Sequence, residues 1–479
     1  MRKAEIRDFL KSKRFLKKLA SAFIILAVIA ILFLVNVLAD MLPWTYDMTA
    51  EKIFTLSEQT SRILGSLKSE VNVVAFSEEG AEDQMVKVLL EEYRRSGKGL
   101  IKVEYVDADR KPAVVKKYDL NNEGISNGSI VFESGGRIKK INKSDVYILN
   151  DYAYGKAFNG EQQFTGAIIH VTSGQLPKVY FLEGHRETDL SGDLSKLKSR
   201  IEGEAHLVES LNILKTESIP QDADCIIVVS PKIDLSENEK EVFKDYLGKG
   251  GRVIFLFDII GQGEPLPNFN SLLKSYGIQY INNFVVEEDS NSFYSDNKMF
   301  LVPYYNIKQS IVEKLNDEKL FVLLPFSCNL KLMNEIDRTV IVETLLQSSE
   351  KSWIRYDIND ATPTKTDADE AGPATLAVAV SKDNTDLRYD QTKMVIVGNS
   401  RFIENEYIET QGNFNFLMNA LNWAEGKDES IGIRPKSMNT NTMFVKGELY
   451  TIILILSVLV IPLIAFVTGL VVWLRRRHL

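Results

Sequence analysis

The feature that most constrains this chain is a pair of long apolar stretches, one near each end. Residues 19–39 and residues 449–474 contain no charged side chain. Each stretch is long enough to cross the roughly 30 Å hydrocarbon core of a lipid bilayer as a helix. The sequence therefore predicts a chain that crosses a membrane twice and holds a large domain block, residues 40–448, between the two spans.

The distribution of basic residues predicts which side of the membrane each part occupies. Eight lysines and arginines lie in residues 1–18, before the first span, and three arginines beginning at Arg475 follow the second. By the positive-inside rule, the tails 1–18 and 475–479 are predicted to be cytoplasmic, and residues 40–448 are predicted to be extracytoplasmic. The first span is too long for the apolar region of a signal peptide, so we expect an uncleaved anchor.

The chain outside the two tails is strongly acidic. The protein has 57 basic and 65 acidic side chains, and 46 of the basic and 63 of the acidic ones lie outside residues 1–18 and 475–479. Phosphate backbones repel such a surface, so nucleic acid is not expected as a partner. We attribute the acidity mainly to a solvated exterior.

Residues 45–150 are predicted to form a membrane-proximal lead-in followed by a thioredoxin-like domain. Apolar periodicity gives the order strand, helix, strand, helix, strand, strand, which is the order of that fold. A thioredoxin dithiol would follow the first strand, where residues 77–80 read Ser-Glu-Glu-Gly, so we expect no thiol–disulfide chemistry. The predicted strands are 71–76, 101–106, 129–132 and 137–141, and the predicted helices contain 85–93 and 112–118.

Residues 151–430 are predicted to form a second, Rossmann-like α/β domain with a doubly wound parallel sheet. Strands and helices alternate from Pro177 onward, interrupted by an insertion at residues 290–370, and residues 431–448 are a linker to the second span. Cys225 and Cys328 lie in apolar runs, so we expect two buried thiols rather than a disulfide. The predicted strands are 178–182, 225–229, 253–257, 375–380 and 394–397. Three helices are predicted: one at 190–201, one that begins after a cap at Ser236, and one at 415–423.

No motif in the sequence matches a known catalytic or metal-binding pattern. There is no Walker A sequence and no dinucleotide fingerprint. The segment around Ser400 lacks the second glycine of a nucleophile elbow, so we interpret it as a solvated strand-end loop. Residues 367–372 begin like a calcium loop but place Ala371 at the fifth position, so we interpret them as a solvated acidic loop. We expect no catalytic residue, no cofactor and no metal.

Polar residues at the ends of the predicted parallel strands are the candidates for ligand or partner binding. In open α/β sheets, ligands bind at the carboxyl edge of the strands. A carboxylate beside an imidazole can bind a sugar or peptide or act as an acid/base pair, but the sequence favours the alternative, a hydrogen-bonded loop that packs on the neighbouring domain. The candidates are Glu183, His185, Arg186, Glu187, Ser230, Asp258, Asn399 and Ser400.

Short segments in order along residues 45–436 carry a family resemblance. They are 46–49, 54–60, 159–168, 181–185, 224–231, 234–236, 246–247, 398–402, 415–423 and 433–436. Together they resemble the auxiliary membrane component of gliding-motility-type ABC transporters, the GldG-like family. The strand-end loop of that family often reads Gly-His-Gly-Glu, whereas this chain has arginine at position 186.

The resemblance implies an accessory subunit of an ABC transport complex, with an ABC permease and an ABC ATPase as separate partners. It also implies a sheet similar to that of class I glutamine amidotransferases without their cysteine nucleophile, and it transfers no catalytic residue. We therefore predict a non-enzymatic cell-membrane protein whose extracytoplasmic domain binds substrate, cell-envelope material or a partner.

Two other functions stay open at this point. One is a membrane-anchored glycan or peptide hydrolase that uses residues 183–187, and the other is a structural scaffold of the cell envelope. Within the second span, Pro462 and Gly469 are candidates for packing against the permease, because proline frees a backbone carbonyl and glycine permits close helix approach. A tolerated kink is the alternative role for Pro462.

Overall fold

The computed structural model describes residues 52–119, 124–150, 155–261, 266–334, 336–359, 364–383, 391–427 and 436–437. It also describes seven helical residues between positions 26 and 34 and four between positions 469 and 474. The chain divides into two compact units, Met1–Thr55 and Leu56–Leu479.

The predicted spans fall mostly outside the described part of the chain. Residues 19–39 and 449–474 contribute only the short helical pieces between positions 26 and 34 and between 469 and 474, and Pro462 is not among the described residues. Among the residues that are described, no helix is both long and apolar enough to cross a membrane. The two spans therefore stay predictions.

A four-stranded sheet with three helices begins the second unit. Its elements are α1 (Glu58–Ser66), β1 (Val71–Phe76), α2 (Gln84–Ser96), β2 (Ile101–Val106), α3 (Pro112–Tyr118), β3 (Ile130–Ser134) and β4 (Arg137–Ile141). The strand order is β2-β1-β3-β4, with β1 parallel to β2 and antiparallel to β3, and with β3 antiparallel to β4. The structure thus contains each strand predicted for this region within two residues of its expected bounds.

Side-chain caps start the first two helices. The Ser57 hydroxyl accepts a hydrogen bond from the Thr60 backbone N–H at 3.2 Å and so caps α1. At the start of α2, the Asp83 carboxylate accepts hydrogen bonds from the N–H groups of Met85 and Val86. These caps fix where the helices begin after the lead-in and after β1.

A small three-stranded sheet connects this region to the rest of the unit. It contains β5 (Tyr147–Asn150), β6 (Gly155–Phe158) and the last described strand, Lys436–Ser437, in the order Lys436–Ser437, β6, β5. The short helix α4 (Lys143–Val146) precedes β5, and the helix α5 (Gly160–Thr172) follows β6. The chain therefore returns, near its described C-terminal end, to the strand that leads into α5.

An eight-stranded mixed sheet forms the core of the second unit. Its first elements are β7 (Lys178–Leu182), α6 (Ser195–Gly203), β8 (Leu207–Leu211), α7 (Ile213–Thr216), β9 (Cys225–Val229), α8 (Glu237–Gly248) and β10 (Arg252–Leu256). Its last elements are β21 (Thr375–Asp383), β22 (Gln391–Val397), a 3-10 turn (Arg401–Ile403) and α11 (Asn413–Ala424).

The chain between β10 and β21 adds helices and short strands. They are α9 (Pro267–Lys274), β11 (Ile278–Tyr280), β12 (Phe284–Val286), β13 (Phe293–Tyr294), β14 (Asn297–Leu301), β15 (Tyr304–Tyr305), α10 (Ser310–Asp317), β16 (Leu324–Pro325), β17 (Leu330–Leu332), β18 (Val340–Gln347), β19 (Trp353–Arg355) and β20 (Glu370–Ala371). They form the pair β11-β17 and the three-stranded sheets β12-β19-β20 and β13-β14-β16. Residues 290–370 therefore extend the main sheet through β15 and β18 and add small sheets of their own.

The order of the main sheet is β15-β18-β21-β22-β10-β9-β7-β8. The five strands from β22 to β8 are parallel, whereas β21 is antiparallel to both of its neighbours. The prediction that residues 375–380 join a parallel sheet is wrong. Only residues 384–390 separate β21 from β22, which is too short for a crossover helix, so the two strands form a hairpin.

Helices cover both faces of the main sheet. Buried side chains of α6, α10 and α11 pack on one face, and those of α8 and α9 pack on the other. All five residues of β9 are buried, as expected for a central parallel strand.

Cys225 and Cys328 are both free and buried, and burial raises the pKa of each thiol. Cys328 lies between β16 and β17 rather than inside a strand.

Candidate functional site

The strand-end candidates separate into two clusters, two exposed side chains and one isolated buried serine. Glu183 and Arg186 are exposed to solvent, whereas the side chains of the other six candidates are buried. His185 and Glu187 belong to a cluster next to α8. Asp258 and Ser400 form a second cluster at the ends of β10 and β22.

The imidazole of His185 lies between two buried carboxylates. Its Nδ1 is 3.1 Å from Glu187 Oε1, and its Nε2 is 3.1 Å from Glu239 Oε1. The Nε2 contact is at ion-pair distance without the alignment of a hydrogen bond. All three side chains are almost fully buried, and the ring of Phe269 meets the imidazole edge-on at 6.3 Å. The cluster is therefore closed to a ligand the size of a sugar or a peptide.

The two carboxylates favour the charged form of His185. Burial works against that charge, but the contacts with Glu187 and Glu239 outweigh it, and the pKa of His185 is raised above its ordinary value. Burial likewise opposes the charge of Glu239, yet hydrogen bonds from Ser236 and the contact with His185 lower the pKa of Glu239. Both ring nitrogens of His185 thus face buried carboxylates, and neither is open to solvent.

Glu239 is the member of this cluster that the sequence analysis missed. It forms a capping box at the start of α8, in which the Ser236 N–H donates to Glu239 Oε2 at 2.9 Å and the Ser236 hydroxyl accepts from the Glu239 N–H at 3.3 Å. The spacing Ser-x-x-Glu was a readable signal for the box. Its link to His185 depends on tertiary structure, because the two residues are far apart in the sequence.

The loop that carries His185 is held in an unusual backbone conformation. Gly184 has φ +124° and Arg186 has φ +59°, both in the left-handed region. The carbonyl of His185 accepts hydrogen bonds from the N–H groups of Lys232 and Ile233, at 2.8 and 3.0 Å. These bonds tie the end of β7 to the loop after β9, which explains why the imidazole faces inward while Arg186 faces solvent.

Asp258 and Ser400 form the second cluster. The Asp258 carboxylate accepts hydrogen bonds from the Ser400 N–H at 2.9 Å and from the Ser400 hydroxyl at 2.5 Å. The neighbouring Asn399 side chain donates to the Pro325 carbonyl and accepts from the Phe402 N–H. Ser400 and Asn399 have no exposed surface, so the interpretation of this loop as solvated is wrong. The side chains here satisfy buried backbone groups of the insertion and of the adjacent turn.

Ser230 lies apart from both clusters. It is buried, its backbone has φ +53°, and its hydroxyl accepts a hydrogen bond from the exposed Lys232 ammonium. The Ser230 N–H donates to the Leu256 carbonyl at 2.7 Å. Ser230 therefore closes the end of the pairing between β9 and β10 and presents no free hydroxyl to solvent.

One carboxylate of the acidic segment at residues 367–372 is buried. Asp369 forms a bidentate ion pair with Arg355, with Nε–Oδ1 and Nη2–Oδ2 distances of 2.9 and 2.8 Å, and both side chains are at most 3% exposed. The rest of the segment agrees with the interpretation as a solvated loop, because residues 367, 368, 370 and 371 are exposed. No group of three His, Cys, Asp or Glu side chains suited to a metal ion is found among the described residues.

Two open spaces in the described structure lie away from the predicted site. A wide cleft of about 1390 Å³ is at the opposite edge of the sheet, between α1, the C-terminal end of α5 and the beginnings of β7 and β8. A smaller cavity of about 250 Å³ lies at the end of β1 in the four-stranded sheet.

Comparison with solved structures gives only distant likenesses. The mmIFT52 N-terminal domain is 17% identical, with 52% of this chain and 96% of that chain covered and a TM-score of 0.38. The NTD_N/C domain of alkylhydroperoxide reductase AhpF from Enterococcus faecalis (V583) is 19% identical, with 33% and 79% covered and a TM-score of 0.18. Such low scores establish neither a shared fold nor a shared function. No curated protein matches the chain.

Two parts of the chain match known protein families. Residues 50–146 match a domain of unknown function, DUF7088. Residues 176–420, just over half of the chain, match the family described as ABC-type uncharacterized transport system, which confirms the resemblance at the level of auxiliary proteins of ABC transport. The narrower likeness to gliding-motility proteins stays a prediction. By this match, the chain belongs to the family of ABC-type uncharacterized transport system proteins and has an accessory role in ABC transport.

Proposed function

We propose that this protein is a non-catalytic, membrane-anchored accessory subunit of an ABC transporter. In this proposal, two terminal helices cross the cell membrane, and residues 40–448 lie outside and bind substrate, cell-envelope material or a partner. An ABC permease and an ABC ATPase are separate subunits. The observation that carries the proposal is the family match over residues 176–420.

The two ends of the folded region support attachment to one membrane surface. Ser57 is close in sequence to the first predicted span, and its N–H donates a hydrogen bond of 2.6 Å to the side chain of Glu161 at the start of α5. Lys436, near the second, pairs with Phe158 immediately before α5. Residue 39 precedes Ser57 by 18 positions and residue 449 follows Ser437 by 12. Both connections are thus short and begin close together, as two helices in one bilayer require.

Apolar side chains in the predicted spans support contact with lipid or a partner subunit. The described residues of the first span include Leu26, Phe33 and Leu34, each at least 60% exposed, and those of the second include Val472 and Trp473. Gly469 has open space where a side chain would be, so another helix could approach its backbone. We propose that the spans pack on the permease and carry its movements to the extracytoplasmic domain.

The closed strand-end clusters favour a binding or structural role over hydrolysis. His185 is only 2% exposed and is held between two carboxylates, and Ser400 is fully buried on Asp258. A hydrolase would need one of these groups within hydrogen-bond reach of its substrate.

The strand order β2-β1-β3-β4 supports a thioredoxin-like assignment for the first domain, and the five parallel strands support the amidotransferase-like assignment for the second.

Purification of the full-length protein in mild detergent tests the proposal. We expect an ABC ATPase and a multispanning permease to copurify, and we expect both to be lost when the two spans are replaced by unrelated apolar helices. The matched control is a protein in which only the exposed Arg186 is changed to alanine, and it should retain the partners. Copurification of neither subunit with the unmodified protein would contradict the proposal, and retention by the span-replaced protein would place the contact in the extracytoplasmic domain.

A further inference from the structure

The 250 Å³ cavity of the four-stranded sheet has the form of a small binding pocket. It lies at the carboxyl end of β1, between the first turn of α2, the end of β2 and the beginning of β5. Its volume is below that of a site for a drug-sized ligand and is enough for one long side chain. The residues that bear on its chemistry are Phe76, Glu78, Glu82, Asp83, Tyr105 and Tyr147.

The hydroxyl group of Tyr105 is the first indication that a ligand belongs in this cavity. Its oxygen is buried and has no hydrogen-bond partner among the described residues. Burial, together with the nearby charges of Glu91 and Glu82, raises the pKa of Tyr105 to about 12, so the hydroxyl stays neutral and protonated. A buried hydroxyl without a partner is costly, and a ligand atom that accepts or donates a hydrogen bond would remove that cost.

The charges around the cavity specify the sign of the ligand. Three carboxylates line it, those of Glu78, Glu82 and Asp83, against one ammonium group, that of Lys143. Asp83 uses one oxygen to cap α2 and the other to accept a hydrogen bond from the Tyr147 hydroxyl at 2.6 Å. Glu82 is 3.7 Å from the Lys87 ammonium group, which itself lies 5.8 Å from the Tyr105 ring. Carboxylates beside aromatic rings favour a cation.

We propose that this cavity binds a primary ammonium group on an alkyl stem. The stem would lie against the apolar wall that includes Phe76. The ammonium group would donate hydrogen bonds to the Tyr105 oxygen and to the carboxylate of Glu78, because Glu82 already faces the Lys87 ammonium group, with further attraction from the two tyrosine rings. Such a group occurs in free diamines and in lysine side chains of other proteins. The binding uses only residues of the four-stranded domain and its flanking segment, so it does not depend on the membrane spans.

Ligand-observed NMR on the full-length protein in detergent tests this proposal. The probes are cadaverine, an N-acetylated Gly-Lys-Gly amide and its norleucine counterpart, which has the same stem without a charge. We expect an ammonium probe to bind and the norleucine probe not to bind. Binding of cadaverine alone identifies a free amine as the ligand type, and binding of the lysine peptide identifies a protein side chain.

Two variants localise the binding to the cavity. Tyr105→Phe removes one hydrogen bond and should weaken binding about fivefold. Glu78→Gln changes an exposed side chain, so the fold should be retained. The change removes one carboxylate, so it should weaken binding severalfold and make the affinity less dependent on salt concentration. Tyr304→Phe, a change at an exposed tyrosine in β15, is the control and should change nothing. Absence of binding at about 10 mM probe, equal binding of the norleucine peptide, or equal binding by the Glu78→Gln protein would overturn the proposal.

Discussion

The carboxylate of Glu161 accepts a hydrogen bond from the backbone N–H of Ser57 at 2.6 Å, across 104 positions of the sequence. The same oxygen accepts from the Thr60 hydroxyl at 2.8 Å, and the Tyr93 hydroxyl donates to the Glu161 carbonyl at 2.9 Å. Glu161 therefore joins the beginning of the folded unit to α2 and α5. Lys436 pairs with Phe158 in the small three-stranded sheet, immediately before α5. The C-terminal end of the described unit is therefore attached at the same place.

Replacement of Glu161 by alanine should destabilise the protein by about 2 kcal/mol, because it leaves the half-buried N–H of Ser57 without its acceptor and removes the charged acceptor of the Thr60 hydroxyl. The midpoint of urea unfolding measures this loss. Glu70→Ala, at an exposed glutamate, is the matched control and should change stability by less than about 0.5 kcal/mol. Equal effects of the two substitutions would mean that Glu161 does not hold this junction.

His185 should make stability depend on pH. Because its pKa is raised on folding, its contribution is complete below the unfolded pKa near 6.5 and is lost as the pH rises through the folded value. His185→Gln should therefore cost more at about pH 5.5 than at about pH 8.5. Denaturant unfolding of both proteins at the two pH values gives the difference. The groups that face the imidazole are Glu187 on its own loop and Glu239 on α8.

His170 provides a control of opposite sign. Burial, with the charges of Lys139 and Arg137, lowers the pKa of His170, so its charged form destabilises the folded protein at low pH. His170→Gln should thus be more favourable at about pH 5.5 than at about pH 8.5, the reverse of His185→Gln. The same pH dependence in both variants would contradict the assigned environments.

The ion pair between Arg355 and Asp369 should be essential for the stability of the insertion. Asp369→Asn leaves the buried guanidinium without its counter-charge, which we expect to cost about 3 kcal/mol. Asp367→Asn, two residues earlier and exposed, should be neutral within about 0.5 kcal/mol. Thermal unfolding compares the two, and a neutral Asp369→Asn protein would show that solvent replaces the lost carboxylate.

Close packing of α5 on α6 should exclude any side chain at Gly166. A methyl group there would lie 1.8 Å from the Gly203 carbonyl oxygen, so Gly166→Ala must push the helices apart and should cost about 2 kcal/mol. Gly174 has open space at the same position, and Gly174→Ala should not destabilise the protein. Unfolding midpoints of the two alanine variants measure the contrast, and equal midpoints would disprove the close contact.

Local patterns in the sequence predicted the regular elements but not their long-range polar contacts. The apolar run at residues 225–229 and the cap at Ser236 are properties of a few adjacent residues, and the structure has them where they were expected. The contact of His185 with Glu239 and the burial of Ser400 and Asp369 depend on which loops meet after folding. The antiparallel direction of β21 followed from the short connection to β22, a signal that was readable in the sequence.

We propose that the folded region works outside the membrane, attached at both ends. Single cysteines at Glu79 and at His478 test it in intact cells, because Cys225 and Cys328 are buried and should give little background labelling in the folded protein. A membrane-impermeant thiol reagent should label Glu79→Cys in intact cells and His478→Cys only after the cells are opened. Labelling of His478→Cys from outside, or of Glu79→Cys only in opened cells, would contradict the topology and the function built on it.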